Sequence, residues 1–108
     1  MNQYKRGRKK EYDFVNWLKD FYIEDGHNTE RDIVIRSAGS HSPFDVILFD
    51  YKGLEIHCFQ IKYEASFSQK SKRELEKFKK YPKITSCWKH FVWYKKGQPE
   101  PIFIWNEK

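Results

Sequence analysis

The sequence is poor in the residues that cross-link, break or anchor a chain. Its 108 residues include 2 cysteines, 4 prolines and 5 glycines. No apolar run approaches the roughly 20 residues of a membrane helix, and the basic amino terminus lacks the apolar stretch of a signal peptide. The two thiols, Cys58 and Cys87, are too few for a disulfide framework, so we expect them to be buried and reduced. These absences predict one intracellular, cytoplasmic domain over 1–108 without membrane contact.

Basic charge is what the sequence has in excess. Lysine and arginine number 21 against 15 acids, which gives a formal net charge of +6. Residues 1–10 carry five bases and no acid, and residues 70–83 carry seven bases against two acids. The intervening residues 11–69 hold eleven acids against five bases. Two basic segments around an acidic centre predict a surface that grips phosphates beside a site for a metal ion.

Hydrophobic periodicity predicts the order helix, three strands, helix, two strands, or α-β-β-β-α-β-β. Apolar side chains at helical spacing indicate a first helix over 8–24 behind a basic arm, residues 1–7. The other elements are predicted as strands over 33–35, 46–49 and 54–63, a helix over 66–81, and strands over 87–94 and 102–105. A turn signal at 50–53 pairs the second and third strands as an antiparallel hairpin, and Ser71 with Glu74 fits a capping box. This order predicts an α/β fold with one mixed sheet flanked by helices.

Polar side chains converge at one end of the predicted hairpin. Asp45 begins the second strand, and the hairpin places it opposite residues 58–60. Alternation puts Gln60 and Lys62 on one face of the third strand, and Glu11 lies on the buried stripe of the first helix. Mg²⁺ binds one or two carboxylates and activates water for phosphodiester hydrolysis, so Glu11, Asp45 and Gln60 are candidate ligands. Lys62 would orient or deprotonate the water, or balance the charge of the phosphate.

Singly, the residues of this constellation are common, because an aspartate before a strand is often a cap and a strand-end lysine is usually solvated. Together they resemble the PD-(D/E)XK nucleases, with the PD element at 43–45 and the (D/E)XK element at 60–62. Over residues 6–63 the chain is most similar to the archaeal-type Holliday junction resolvases. The further matching positions are Arg6, Gly7, Glu11, Phe14, Val15, Leu18, Lys19, Asp20, and Arg36 four residues before Ser40 in the loop 34–40.

The resemblance implies a restriction-endonuclease-like fold and a metal-dependent endonuclease that cuts four-way (Holliday) junctions in DNA recombination and repair. It implies catalytic metal ligation by Glu11, Asp45 and Gln60, with Mg²⁺ as the cofactor and Mn²⁺ as its substitute. It also implies catalytic roles for Lys62 and for Ser40 in the preceding loop. A four-way junction requires two symmetric cuts, so the implied active form is a homodimer.

Gln60 is where the chain departs from the resolvases. Most of them have glutamate at this position, whereas glutamine occurs in the Mrr-like restriction nucleases, which are the second interpretation. A glutamine carbonyl can ligate a cation but contributes no charge. A catalytically decayed nucleic-acid-binding module is therefore the third interpretation.

The basic residues predict contacts with DNA phosphates rather than with bases. Phosphate contacts fix position and depend steeply on salt, but they carry no sequence information. Because nothing in the chain resembles a base-reading element, selectivity for DNA structure is favoured over selectivity for sequence. The bases of the second helix are expected to be spread around it rather than to form one stripe. The predicted DNA contacts are Lys5, Arg6, Arg8, Lys9, Lys10, Arg36, His41, Lys70, Lys72 and Arg73.

Overall fold

The chain folds as a five-stranded mixed sheet with two helices, in the strand order β1-β2-β3-β4-β5. The computed structural model describes residues 3–24, 33–37, 43–51, 53–82 and 87–108. The helices are α1 (Gln3–Glu24) and α2 (Gln69–Lys80), and the strands are β1 (Ile33–Arg36), β2 (Val46–Asp50), β3 (Glu55–Glu64), β4 (Cys87–Lys95) and β5 (Ile102–Glu107). The predicted α/β class, element order and mixed sheet are confirmed.

The strand directions explain why α2 lies where it does. β1, β2 and β3 are successively antiparallel, β3 and β4 are parallel, and β5 returns antiparallel to β4. A parallel pair needs a crossover connection, and α2 supplies it between β3 and β4. In the β2–β3 hairpin Val46 pairs with Phe59, so the register brings Asp45 opposite Gln60. The predicted hairpin and its approximate register are confirmed.

Helix α1 packs on one face of the sheet through a few apolar side chains. Phe14 and Leu18 are almost completely buried, and the ring of Phe14 meets that of Phe59 edge-on at 4.9 Å between centroids. The same core cluster contains Val15, Val46, Leu48, Phe59, Ile61, Val92 and Tyr94. Glu11 lies about one turn before Phe14, so this packing brings its side chain toward the sheet.

Helix α2 covers the opposite face, over β4 and β5. Phe78 of α2 packs on Phe91 of β4 with their ring centroids 5.7 Å apart. The buried Lys89 donates hydrogen bonds to the carbonyls of Phe78, Lys79 and Tyr81 at 2.8, 2.9 and 2.9 Å. These bonds satisfy carbonyls that the end of a helix leaves without partners. Apolar packing and this lysine together fix α2 on the sheet.

The start of α1 differs from the prediction. The helix begins at Gln3 instead of residue 8, so residues 3–7 of the predicted basic arm are helical. Lysine and arginine have high helix propensity, and Gly7 alone is not enough to end a helix of this length. The bases near the amino terminus are therefore presented on a helix.

The start of α2 differs as well. Its N-cap is Ser68, whose side chain accepts a hydrogen bond from the backbone N–H of Ser71 at 3.1 Å. The carboxylate of Glu64 in turn accepts hydrogen bonds from Ser68. The predicted capping box of Ser71 and Glu74 is wrong, because the helix begins about one turn earlier than that motif requires.

Candidate active site

Asp45 is fixed at the beginning of β2 by three hydrogen bonds. Its backbone N–H donates to the carbonyl of Phe59, and its carbonyl accepts from the N–H of Ser37, both at 2.8 Å. Its carboxylate Oδ2 accepts from the N–H of Ile61 at 2.8 Å. A carboxylate offers about four acceptor positions. The bond to Ile61 therefore orients the side chain and leaves it able to bind a further ligand.

Lys62 lies on β3, near Asp45, and its side chain contacts helix α2. Ile61 packs into the core under α1, so its neighbours Gln60 and Lys62 lie on the other face of the strand, as predicted. The ammonium of Lys62 forms an ion pair with Oε2 of Glu74, and the two side chains are 25% and 30% exposed. The positive charge of Lys62 lowers the pKa of Asp45. Lys62 is thus coupled to an acid on each side.

Glu11 is held by Arg36. Nη1 of Arg36 donates to Oε1 of Glu11 at 3.0 Å, with both side chains about four-fifths buried. The guanidinium also lies 4.7 Å from the ring centroid of Tyr12. The hydrogen bond to Glu11 raises the pKa of Arg36 above its ordinary value. Arg36, which the sequence predicts as a DNA contact, positions the Glu11 carboxylate near the sheet.

Burial raises the pKa of Asp45 to about 6, from an ordinary value of 3.8. The charged form is penalised first by desolvation, and the negative charges of Glu11 and Glu74 act in the same direction. The N–H of Ile61 and the charge of Lys62 oppose this rise. A carboxyl that changes protonation near neutral pH is a common property of functional sites. Glu11, Lys62 and Glu74 each lie within electrostatic reach of Asp45.

The oxygen donors at this end of the sheet are few. Among the residues that the structure describes, no three His, Cys, Asp or Glu side chains are arranged to hold a metal ion. Glu11 and Asp45 are the predicted carboxylate ligands, and Gln60 can add only a neutral amide oxygen. Mg²⁺ usually binds one or two carboxylates and completes its shell with waters and substrate phosphates. The donor set therefore fits Mg²⁺ held jointly with a phosphate, and it does not form an all-protein cage.

Four exposed bases form a stripe along α2 next to this site, which we name the basic stripe. Its members are Lys70, Arg73, Lys77 and Lys80. At about 100° per residue they fall within one sector of the helix, and Glu74 lies between that sector and the buried face. Lys72 lies on the opposite flank. Lys79 lies near Lys72, so the expectation that the bases spread around α2 is right for these two and wrong for the four members of the stripe.

The predicted DNA contacts on α1 have mixed surroundings. Arg8 and Lys9 are exposed. Lys10 pairs with Asp13 at 3.6 Å, and its ammonium lies 5.1 Å from the ring centroid of Tyr63. Lys10 is therefore engaged with side chains of its own chain.

Four predicted site residues have side chains outside the described part of the structure. Ser40, the predicted catalytic serine, and His41, a predicted DNA contact, fall between the described residues 37 and 43. The backbone of Lys5 and Arg6 belongs to α1, but their side chains are not among those described. The roles of these four residues stay predictions.

Glu74 is the member of this site that sequence reasoning missed. Its spacing from Ser71 fits a helix cap, and in a helix so rich in lysine an acid reads as part of a solvated surface. Its position next to Leu75, a buried residue of α2, is the signal that could have found it. A helical turn that buries Leu75 also brings Glu74 to the border of the sheet.

Comparisons with known proteins identify no relative of the chain. No protein-family profile, no curated protein and no solved structure matches it. In the part of the chain that the structure describes, neither helix combines the length and apolarity needed to cross a bilayer. The resemblance to PD-(D/E)XK nucleases therefore rests on the motif residues of this sequence alone.

Proposed function

We propose that the protein is a metal-dependent DNA endonuclease with a restriction-endonuclease-like fold that cuts four-way junctions. The observation that carries the proposal is that the Asp45 carboxylate, with a pKa of about 6, accepts a hydrogen bond from the N–H of Ile61 and feels the charge of its neighbour Lys62, at the end of a hairpin. Phosphodiester hydrolysis uses an acid and a base in such proximity, because water must be activated while charge develops on the phosphate. The basic stripe next to this pair supports a polyanionic substrate.

Each charged side chain has a task in the proposed reaction. Asp45 and Glu11 would hold Mg²⁺, for which Mn²⁺ would substitute, and Gln60 would add an amide oxygen. When bound, the cation supplies charge neutralisation at the phosphate and an activated water. Lys62 orients that water or offsets the charge that develops on the phosphate. Arg36 keeps the carboxylate of Glu11 directed toward the site.

The basic stripe supplies contacts to the DNA backbone in this proposal. Exposed lysine and arginine side chains bind phosphates whatever the base sequence, and this binding weakens steeply as salt rises. A substrate along the stripe would pass Glu74 and reach Lys62, because Glu74 borders the stripe and contacts Lys62. The chain has one such site, so two symmetric cuts require a second copy, and the proposed active form is a homodimer.

A non-catalytic nucleic-acid-binding module is the second candidate, since two of the charges are already paired within the protein. Glu11 is bound by Arg36, and Lys62 by Glu74, while Gln60 contributes no charge. Binding through the basic stripe requires none of these groups. Such a module would bind junctions but would not cut them with any divalent metal.

Cleavage of a labelled four-way junction, with Mg²⁺ and with EDTA, tests the proposal. We expect symmetric nicks on opposite strands with Mg²⁺ alone. Asp45→Asn and Lys62→Met should each slow cleavage at least about 100-fold. Junction binding in Ca²⁺ should survive both changes. Glu76→Gln is the control, because Glu76 lies on α2 away from Asp45 and Lys62, is exposed and pairs with Lys79.

The other outcomes separate the alternatives. Undiminished cleavage in both variants would contradict the proposed site. Equal cutting of a linear duplex of the same sequence would assign the protein to the Mrr-like interpretation. Binding without cleavage of any DNA, in Mg²⁺ or Mn²⁺, would favour the non-catalytic module.

A further inference from the structure

The ion pair between Lys62 and Glu74 is the feature of this site that neither the motif nor the proposed metal ligands account for. The two residues belong to different elements, β3 and α2, and their side chains are 25% and 30% exposed. Freely exposed ion pairs contribute little to stability because water solvates each charge well. The pair of Lys62 and Glu74 is partly removed from solvent and lies next to Asp45, so its consequence is different: it fixes the position of the Lys62 ammonium.

Position 60 gives this pair its importance. Gln60 faces the same side of β3 as Lys62, at a spacing of about 7 Å along the strand. Its amide is neutral, and the nearest acid on this face of β3, Glu64, feels the charge of Lys62 but has its carboxylate bound by Ser68 at the start of α2. Glu74 is the acid that meets the ammonium, and it arrives from α2 instead. Its charge also contributes to the raised pKa of Asp45.

Helix α2 is built to hold Glu74 in place. Its first turn is capped by Ser68, which the Glu64 carboxylate binds at the end of β3. The next turns bury Leu75 and Phe78 against β4 and β5. Glu74 adjoins this buried stripe, so its backbone cannot move without disturbing the core.

We propose that Glu74 is a positioning residue that holds the ammonium of Lys62 beside Asp45 and supplies from α2 the negative charge that Gln60 does not supply. Its effect on cleavage rests on the proposed function, whereas its effect on Lys62 does not. Glu74 touches neither the phosphate nor the metal in this role. It acts through Lys62, whose side chain would otherwise be free to leave the site for solvent.

A charge-swap experiment tests the role in cleavage. We expect Glu74→Gln to lower kcat at least about tenfold with little change in KM. A misplaced lysine would stabilise the transition state less, but it would leave junction binding unchanged. Adding Gln60→Glu to Glu74→Gln should restore most of the lost rate, since it places an acid on the face of β3 that carries Lys62. Glu76→Gln should keep the rate of the unaltered protein. A lack of rescue by Gln60→Glu in a folded double variant would overturn the proposal.

A second measurement does not depend on cleavage. Lysine ammonium groups in salt bridges give ¹H–¹⁵N signals that exchange slowly with water at low temperature, and Lys62→Arg identifies the signal of Lys62. We expect that signal in the unaltered protein and in Glu76→Gln, and its loss in Glu74→Gln. A signal that persists in Glu74→Gln would overturn the positioning role even if the protein cuts DNA. Loss of the signal in a protein that cuts no DNA would uphold the role and reject the proposed nuclease.

Discussion

Titratable side chains lie on or around both ends of the parallel strands β3 and β4, and the two ends hold them differently. At the end where both strands begin, the side chains are buried or half-buried and meet one another or backbone carbonyls. This closed end comprises His57, Cys58, Cys87, Lys89 and His90. At the opposite end the side chains keep part of their exposure and lie among other charges. This open end comprises Asp45, Lys62 and Glu74.

At the closed end, burial disfavours the charged forms of His57, His90 and Cys58. Nδ1 of His57 lies 2.9 Å from Nε2 of His90, and desolvation lowers the pKa of both, that of His90 to about 3. The Sγ atoms of Cys58 and Cys87 are 3.3 Å apart, and burial raises the pKa of Cys58 to about 12. Both cysteines are buried and unbridged, as predicted. His90 and Cys58 therefore stay neutral near pH 7 and contribute to packing.

The open end keeps groups that can respond near neutral pH. The pKa of Asp45, at about 6, lies where small changes in the surroundings alter its charge. Lys62 is paired with an acid instead of with carbonyls, so a phosphate could compete for it. The comparison teaches that no rare residue type distinguishes the candidate site from the closed end. The two ends differ instead in partial burial, in mixed charge and in the neighbouring basic helix.

Replacing the lysine of each end is the strongest test of this comparison. Lys89 is 2% exposed, and Lys89→Met would remove a donor from three carbonyls at the end of α2, of which that of Phe78 keeps the N–H of Tyr81. We expect the free energy of unfolding to fall by about 3 kcal/mol. Lys62→Met removes only a partly exposed ion pair, so the expected loss is at most about 1 kcal/mol. Urea denaturation measures both, and equal losses would remove the distinction between the ends.

Acid should destabilise the closed end through His90. Its pKa of about 3 in the folded protein lies below the ordinary 6.5, so the unfolded chain binds more protons between these values. The stability is therefore complete above pH 6.5 and is lost as pH falls, by about 2 kcal/mol between pH 7 and pH 5. Phenylalanine cannot titrate, so the free energy of unfolding of His90→Phe should fall by about 2 kcal/mol less than that of the unaltered protein between pH 7 and pH 5. Urea denaturation of both proteins at pH 7 and pH 5 measures this difference. Equal losses of stability in the two proteins would show that another group causes the acid sensitivity.

The features that could be predicted from the sequence depend on local pattern. The turn at 50–53 and the alternation of apolar residues specify the β2–β3 hairpin, and the hairpin brings Asp45 opposite Gln60. The same alternation separates Ile61 from Lys62. Residues close along the chain thus place the Asp45 and Lys62 side chains of the open end without knowledge of the rest of the fold.

The features that could not be predicted depend on how distant elements dock. Glu74 reads as a helix-surface acid until α2 crosses the sheet and brings it to Lys62. Lys89 reads as a solvated strand lysine, and only the docking of the α2 carboxyl terminus on β4 buries it. The pairing of Arg36 with Glu11 likewise requires α1 to lie against β1. In each case nothing in the sequence around one partner indicates which group it will contact.

At the open end, the Asp45 carboxyl should produce a pH dependence of opposite sign to that of His90. Its pKa of about 6 in the folded protein is above the ordinary 3.8, so the folded state binds more protons between these values. The stability from this group is therefore complete below pH 3.8 and is lost as pH rises through about 6. Asp45→Asn keeps an oxygen for the N–H of Ile61 and removes only the charge.

We expect Asp45→Asn to raise the free energy of unfolding by about 1 kcal/mol at pH 8, because Asp45 is only partly buried, and to have little effect at pH 4. Urea denaturation at the two pH values measures this, with Glu76→Gln as the exposed control. A gain of equal size at both pH values would show that the charge is not the cause. A carboxylate that lowers stability at neutral pH and is not needed for packing is what a site maintained for chemistry would contain, since function commonly costs stability.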